Sequence, residues 1–349
     1  MKTELVKVDV GNPDPSIISR AAACIRTGGL VVFPTETVYG LGASGLDETA
    51  VRRIYKAKGR PDDNPLILHI ASTSDLARLV SHIPAVAERL IARYWPGPLT
   101  LVLRRSAIVP DVVTGGLGTV AVRLPASPVA CALIAAAGVP IAAPSANRSG
   151  RPSPTSAQAV FEELDGRVAM ILDGGPCAIG VESTVLDCTS EIPMILRPGG
   201  VTYEMLLETL GEVAVDQSIN EPDSLPPRSP GMKYRHYAPA APMIVFEPDE
   251  CGEYLNRLVG DAAATLETGK KVGAVVSSET SERLPAGVQV AVFGSRTRPQ
   301  EVARGLYRCL RQFDAAPVDI IFAEGIADRG LGRAIMNRMR KAAGSTREE

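Results

Sequence analysis

Apolar and polar positions along the chain follow two periods that alternate. Ile17, Ile18, Ala21, Ala22 and Ile25 recur at helical spacing, and Gly28-Gly29 ends the run. The apolar stretch 30–33 then reads as a buried strand. Helical patterns return at Glu48–Lys58, Val86–Tyr94, Val129–Ala137 and Ala157–Leu164. Between them, 65–70, 99–103, 119–124, 140–143, 168–172, 183–187 and 193–196 carry strand patterns. Such alternation predicts a mixed α/β sheet with helices packed against it.

Past Glu212 the pattern lapses. Residues 216–242 are rich in Pro, Ser and Asp, show no hydrophobic period, and read as a linker. A second α/β pattern follows. Strands are expected at 244–246, 272–276, 288–293 and 320–322, and helices at 254–266, 302–313 and 331–343. The expected boundaries are a first domain over 14–212, a linker over 213–241, and a small Rossmann-like domain over 242–345.

Composition narrows the class. A length of 349 residues suits two domains, and 45% hydrophobic with 22% charged residues fits an ordinary globular chain. A net charge of −2 argues against a surface given over wholly to nucleic acid. No segment reaches the ~20 apolar residues of a membrane span, and the N-terminus carries no apolar signal core. None of the six cysteines forms a CxxC pair, and the three histidines lack metal-ligand spacing. We therefore expect no zinc, and buried thiols in a reducing cytoplasm.

The candidate chemistry lies in scattered polar signatures. Residues 34–42 (PTETVYGLG) place three hydroxyls and a carboxylate directly after a buried strand, a set that is hard to bury unless paired. Helix caps at Thr35 or Thr37 are the structural alternative. Lys58 and Arg60 sit one residue apart before Pro61, Asn64 and Pro65, and can meet phosphate oxygens. A solvated helix C-terminus would account for them equally well. Ser145 and Asn147 follow the small-residue run 141–144, which leaves room for a ligand over a strand's carboxyl end. Thr119 and Arg123 are four apart on one strand and so share a face. The partner of Arg123 is then a protein carboxylate or that of a ligand. Further loop-end hydroxyls and cations lie in 180–184 and 197–199, and the linker contains SPGMKYRHYAP at 229–239, a candidate lid.

In this order the signatures closely resemble the YrdC-like family in its long form, the threonylcarbamoyl-AMP synthases, from about residue 15 to the C-terminus. The KxR pair is Lys58 and Arg60, the SxN pair is Ser145 and Asn147, and GRAIMNRMR at 332–340 is similar to the family's terminal helix. The resemblance implies a YrdC-like twisted mixed sheet plus the C-terminal Rossmann-like domain. It implies condensation of L-threonine, bicarbonate or CO2 and ATP to threonylcarbamoyl-AMP and pyrophosphate. That product would supply threonylcarbamoyladenosine in tRNAs that read ANN codons. It further implies that Thr37, His69, Arg123, Ala143 and Ser183 contact threonine, with Arg123 on its carboxylate. Lys58, Arg60, Asn64, Thr119, Ser145, Ser153, Arg197, Tyr234 and His236 would line the ATP side, with Asn147 completing SxN. Lys58, Arg60, Ser145 and Asn147 form the catalytic set. Mg²⁺ would accompany ATP, with no zinc or redox cofactor. The expected partners are a downstream tRNA threonylcarbamoyltransferase complex and, weakly, tRNA or double-stranded RNA. Glu36 and Glu182 are the nearby candidates for a general base. Two rivals are an RNA-binding module and a carbamoyl-transfer domain of the hydrogenase-maturation type. The second expects zinc-finger segments, which the CxxC count of zero opposes.

Overall fold

A computed structural model describes residues 2–220 and 237–344. The chain divides into two compact units. The first runs to 149 and takes in 153–178 and the described residues 182–220; the second takes in 150–152, 179–181 and the described residues from 237, inside the expected linker range.

In the first unit β1 (Glu4–Lys7) leads to α1 (Pro15–Arg26), β2 (Val31–Phe33), β3 (Gly40–Ser44), α2 (Glu48–Lys58) and β4 (Ile67–His69). Then come α3 (Leu76–Leu79), α4 (Ala85–Tyr94), β5 (Leu99–Arg104), α5 (Asp111–Thr114), β6 (Thr119–Arg123), α6 (Pro128–Ala137) and β7 (Ile141–Ala142). The unit closes with α7 (Ala157–Leu164), β8 (Met170–Asp173), β9 (Thr184–Asp187), β10 (Met194–Arg197), α8 (Tyr203–Leu210) and β11 (Ala214–Val215). The strands form one mixed sheet in the order β1-β8-β2-β3-β7-β4-β6-β5-β9-β10-β11.

Strand alternation separates two faces. Val32, Leu41, Leu68, Leu101, Val120, Val122 and Leu186 pack on one face in a core that α2, α4, α7 and α8 complete. On the other face, Val31, Phe33, Ile141 and Leu172 are covered by α1 and α6. That cover spans only the β8-β2-β3-β7 half. On the β4-β6-β5-β9-β10 half the same face carries a small apolar patch of Ile67, Val102, Ala121, Val185 and Leu196.

The expected helices α1, α2, α4, α6 and α7 form as read, and all but α4 start at a side-chain cap. Asp47 accepts from the amide of Ala50 at the start of α2, and Gly59 in the left-handed region (φ 64°) ends it. β3 differs from expectation: residues 40–44 form a fully buried strand where the sequence shows only a polar signature. Gly42 makes this strand fit, since a Cβ there would lie 2.8 Å from both Ile141 and the Phe33 ring. The short α3, α5 and β11, with β1 and α8, are likewise additions to the expected elements.

The second unit holds β12 (Met243–Phe246), α9 (Tyr254–Glu267), β13 (Val272–Val276), α10 (Ser278–Ser281), β14 (Gln289–Val292), α11 (Pro299–Ala315), β15 (Ile320–Glu324) and α12 (Leu331–Ala343). Its four strands are parallel in the order β12-β15-β13-β14, a small Rossmann-like sheet. At its start Tyr237 stacks on Tyr307 with ring centres 5.5 Å apart, under the guanidinium of the fully buried Arg338.

Candidate active site

The site residues of the first unit that lie on strands share one sheet face. Thr119, Ala121 and Arg123 alternate along β6 with the core residues Val120 and Val122. Ile67 and His69 alternate with Leu68 on β4, and Thr100 and Val102 with Leu99, Leu101 and Leu103 on β5. β4 and β6 run parallel with His69 opposite Arg123. The sheet is mixed, so neighbouring strands end at opposite edges. His69 and Arg123 close the parallel strands β4 and β6, and Ser145 and Asn147 follow the end of β7.

Arg123 is the centre of this group. Its side chain is 4% exposed. Nε donates to the carbonyl of Gly97 at 3.1 Å and one terminal nitrogen donates to the Thr37 hydroxyl at 2.9 Å. The other terminal nitrogen lies 2.6 Å from Glu36 Oε1. By distance that contact is an ion pair. By angle it is no hydrogen bond, and both Glu36 oxygens and this nitrogen are shielded from solvent without hydrogen-bond partners. The charges attract, while their hydrogen-bonding capacity stays unspent.

Residues 34–39 form a largely buried turn that leads into β3, and neither threonine caps a helix. Thr35 and Thr37 join hydroxyls at 2.8 Å, and the Thr35 hydroxyl donates to the carbonyl of Val38 and accepts from its amide. This pairing explains how both are buried, at 5% and 0% exposure. Ala143, whose amide donates to the Ile67 carbonyl, is buried beside Gly40.

His69 is buried with Nδ1 unpartnered, and its ring meets Phe33 edge-on at 6.1 Å. Burial, reinforced by the Arg123 cation, pushes its pKa from 6.5 down to about 3. Between those values the unfolded chain binds a proton that the folded one does not, so stability rises with pH across that window. Each pH unit contributes at most about 1.4 kcal/mol. Urea unfolding of His69→Gln should therefore show a shallower loss of stability than the wild type between pH 6 and about 4. An unchanged acid limb would mean that the folded protein carries this proton.

Lys58 is the last residue of α2 and is 3% exposed, neither in an extended loop nor at a solvated helix end. Its ammonium donates to the carbonyls of Ser145 and Asn147, which fixes the loop after β7. Burial first, then the neighbouring Arg60 cation, holds its pKa well below the usual lysine value. Arg60, half-buried past Gly59, donates to the carbonyls of Asn64 and Pro65 at 3.2 and 3.0 Å. Asn64 is buried with its side-chain oxygen unpartnered. The Ser145 hydroxyl donates to Asn147 Oδ1 at 2.5 Å. Ser183 bonds Thr100, hydroxyl to hydroxyl, at 2.8 Å, and its carbonyl accepts from both Nε and a terminal nitrogen of the buried Arg197. The Ser153 hydroxyl donates to Glu182 at 2.6 Å.

Thus Thr37, His69 and Arg123 come together, as do Lys58, Ser145 and Asn147, Arg60 and Asn64, and Ser183 and Arg197. Thr119 is half-buried at the start of β6, four residues from Arg123. Tyr234 and His236, with most of the 229–239 signature, lie outside the described residues. Sequence reasoning missed Thr100, whose hydroxyl is hidden in a strand that otherwise reads as core, and the Gly97 carbonyl, which no side-chain pattern reports. Of the thiols expected to be buried, Cys251 is exposed and Cys24 and Cys131 are half-buried. Among the described residues no group of three or more His, Cys, Asp and Glu could hold a metal, and no helix is long and apolar enough to cross a membrane.

Fold and site together define an α/β protein with buried arginines and hydroxyls on one sheet face, next to a lysine-anchored loop. Comparison with known proteins gives that class a family. The profile described as Telomere recombination matches residues 23–199, and that of the threonylcarbamoyl-AMP synthase C-terminal domain matches 201–344. The threonylcarbamoyl-AMP synthase of Pyrococcus abyssi is 51% identical over 326 residues, 93% of each chain. That of Bacillus subtilis is 49% identical over 350 residues, 99% of each chain. The crystal structure of P. abyssi Sua5 complexed with L-threonine superposes with a TM-score of 0.92 at 48% identity over 98% of each chain. The chain belongs to the threonylcarbamoyl-AMP synthase family.

Proposed function

We propose that this chain condenses L-threonine, bicarbonate or CO2 and ATP into threonylcarbamoyl-AMP and pyrophosphate, as an adenylyl-transferring enzyme. The observation that carries this reading is Arg123: a buried guanidinium with one nitrogen free of hydrogen bonds, between the Thr37 hydroxyl and the neutral His69. A solvent-shielded cation with unspent donors suits a carboxylate. Thr37, His69, Ala143 and Ser183 would complete the threonine pocket around it. Lys58, Arg60, Asn64, Thr119, Ser145, Asn147, Ser153 and Arg197 would line the ATP side, joined by Tyr234 and His236. Charge neutralisation and positioning are what such a transfer needs, since the carbamate itself is the nucleophile.

With no protein cage for a metal among the described residues, Mg²⁺ would arrive on the triphosphate, where it would spread phosphate charge. The catalytic domain would span 14–212 and the C-terminal domain 242–345, with 213–241 closing the site. The product would pass to a tRNA threonylcarbamoyltransferase complex in the cytoplasm, for tRNAs reading ANN codons, and direct contact with tRNA or double-stranded RNA would be weak.

Pyrophosphate release from ATP, Mg²⁺ and bicarbonate tests the reading. It should require L-threonine. Arg60→Ala should lower it by about 10²-fold or more while the fold survives, because Arg60 is only half-buried and its bonds to the Asn64 and Pro65 carbonyls lie in the loop past α2. Lys58→Ala should lose as much and be less stable, having stripped two carbonyls of their donor. Threonine-independent release, or none, overturns the reading.

A further inference from the structure

Among the described residues Glu36 is the one carboxylate paired with Arg123, and it accepts no hydrogen bond. Its side chain is 13% exposed, and both its oxygens are shut off from water without a donor. A carboxylate can accept about four hydrogen bonds, and burying one that accepts none is costly. The same holds for the Arg123 nitrogen 2.6 Å away. Other arrangements were open to this pair. Arg123 already binds Gly97 and Thr37 in good geometry, so its fork is fixed and Glu36 meets it off-angle. The half-buried Cys131 and the buried Cys177 also face Glu36, and burial holds both thiols above their usual pKa, so they are not its proton donors.

Two opposite charges held side by side, each with open hydrogen-bonding capacity, are the complement of an α-amino acid zwitterion. The guanidinium takes its carboxylate and the carboxylate takes its ammonium. We propose that Glu36 receives the ammonium of the amino-acid substrate and removes its proton, while the fixed Arg123 fork offers its free nitrogen to the substrate carboxylate. This inference rests on the reading above and adds the base that it leaves unnamed.

The step balances. The R–NH₃⁺ group gives one proton to Glu36 and becomes R–NH₂. The nitrogen lone pair forms the N–C bond to CO2, and a C=O electron pair moves onto oxygen. The second proton leaves nitrogen for water, which yields the carbamate R–NH–COO⁻. A carbamate oxygen then attacks the α-phosphorus, and the bond to pyrophosphate breaks with its electron pair. Glu36 returns its proton to water.

The test separates amine chemistry from adenylyl transfer. The forward reaction is run with L-threonine, bicarbonate and ATP. The reverse is run with isolated threonylcarbamoyl-AMP and pyrophosphate, read as ATP formed; that direction never takes a proton from an ammonium. In Glu36→Gln the forward kcat should fall about 10²-fold or more, and the loss in the reverse direction should be at least tenfold smaller. Glu36→Asp should recover part of the forward rate. Equal losses in both directions would reduce Glu36 to a structural role, and a lowered KM for threonine with kcat kept would make it a mere occupant of the carboxylate site; either result overturns the proposal. A wild-type protein that makes no threonylcarbamoyl-AMP would instead overturn the reading on which it rests.

Discussion

Arg123→Ala should abolish threonine-dependent pyrophosphate release, with the largest loss of activity of any single substitution in the site. The side chain makes two good hydrogen bonds and one ion pair, all buried. Removing it would take away the cation proposed for the substrate carboxylate, worth about 1.5–3 kcal/mol per charge-assisted bond, and unmoor the Thr37 hydroxyl. A loss of about 10³-fold or more in kcat/KM for threonine follows. The same change strands Glu36 as a buried charge, which typically costs about 3–5 kcal/mol of stability. The two effects can be told apart. In the double variant Arg123→Ala/Glu36→Gln the stranded charge is gone, so part of the lost stability should return while activity does not. Arg123→Lys keeps the charge but not the planar fork, and should hold the fold while raising KM for threonine about 10²-fold. Urea unfolding and steady-state kinetics on the four proteins decide it. Full activity in Arg123→Lys would show that charge alone, without geometry, holds the substrate.

How far the sequence foretells this site depends on the kind of signal. α7 and α12 form over the residues their period marks, because each interaction that sets them is local: a hydroxyl cap at Ser156 for α7, a helical stripe of buried residues for α12. Thr119 and Arg123 share a face because strand alternation is local too. β3 escapes notice because Gly40 and Gly42 show no alternation of polar and apolar residues. What makes them strand residues is the Phe33 ring, which comes from another strand. Lys58 has the same origin. Two cations beside Gly59 look like a solvated helix end, and nothing local tells that the carbonyls of Ser145 and Asn147, about ninety residues on, receive the ammonium. Glu36 stands out in sequence as one acid among threonines, but its pairing with Arg123 spans 87 residues and follows from sheet order alone.

Gly199→Ala should cost more stability than any other small substitution near the site. A Cβ at this position would lie 2.3 Å from the Thr184 amide nitrogen and 2.4 Å from both the Glu182 carbonyl oxygen and the Ser183 carbonyl carbon. All three are backbone atoms, so no side-chain rotation relieves the clash and the chain itself must move. The first strand bonds of β9 stand in the way. The Thr184 amide donates to the carbonyl of Pro98, and its hydroxyl is exchanged with the Val201 backbone. The movement also pulls Ser183 from Arg197, whose guanidinium is buried and has that carbonyl as a shared acceptor for two of its nitrogens. Overpacking alone costs about 1–3 kcal/mol, and loosened bonds to a buried charge add to it, so a loss of about 3 kcal/mol or more is expected. Gly118→Ala is the matched control: nothing lies within 4 Å of a Cβ there and its φ is ordinary, so it should stay within about 0.5 kcal/mol of wild type. The single tryptophan, Trp95, is buried in the first unit and reports that unit's unfolding by fluorescence. Gly199→Ala should shift the urea midpoint of this signal sharply downward and raise KM for threonine and ATP, because the Arg197–Ser183 contact that the turn disturbs joins the two proposed sides of the site. Matching midpoints for Gly199→Ala and Gly118→Ala would show that the turn at 197–199 yields more readily than its close backbone packing implies.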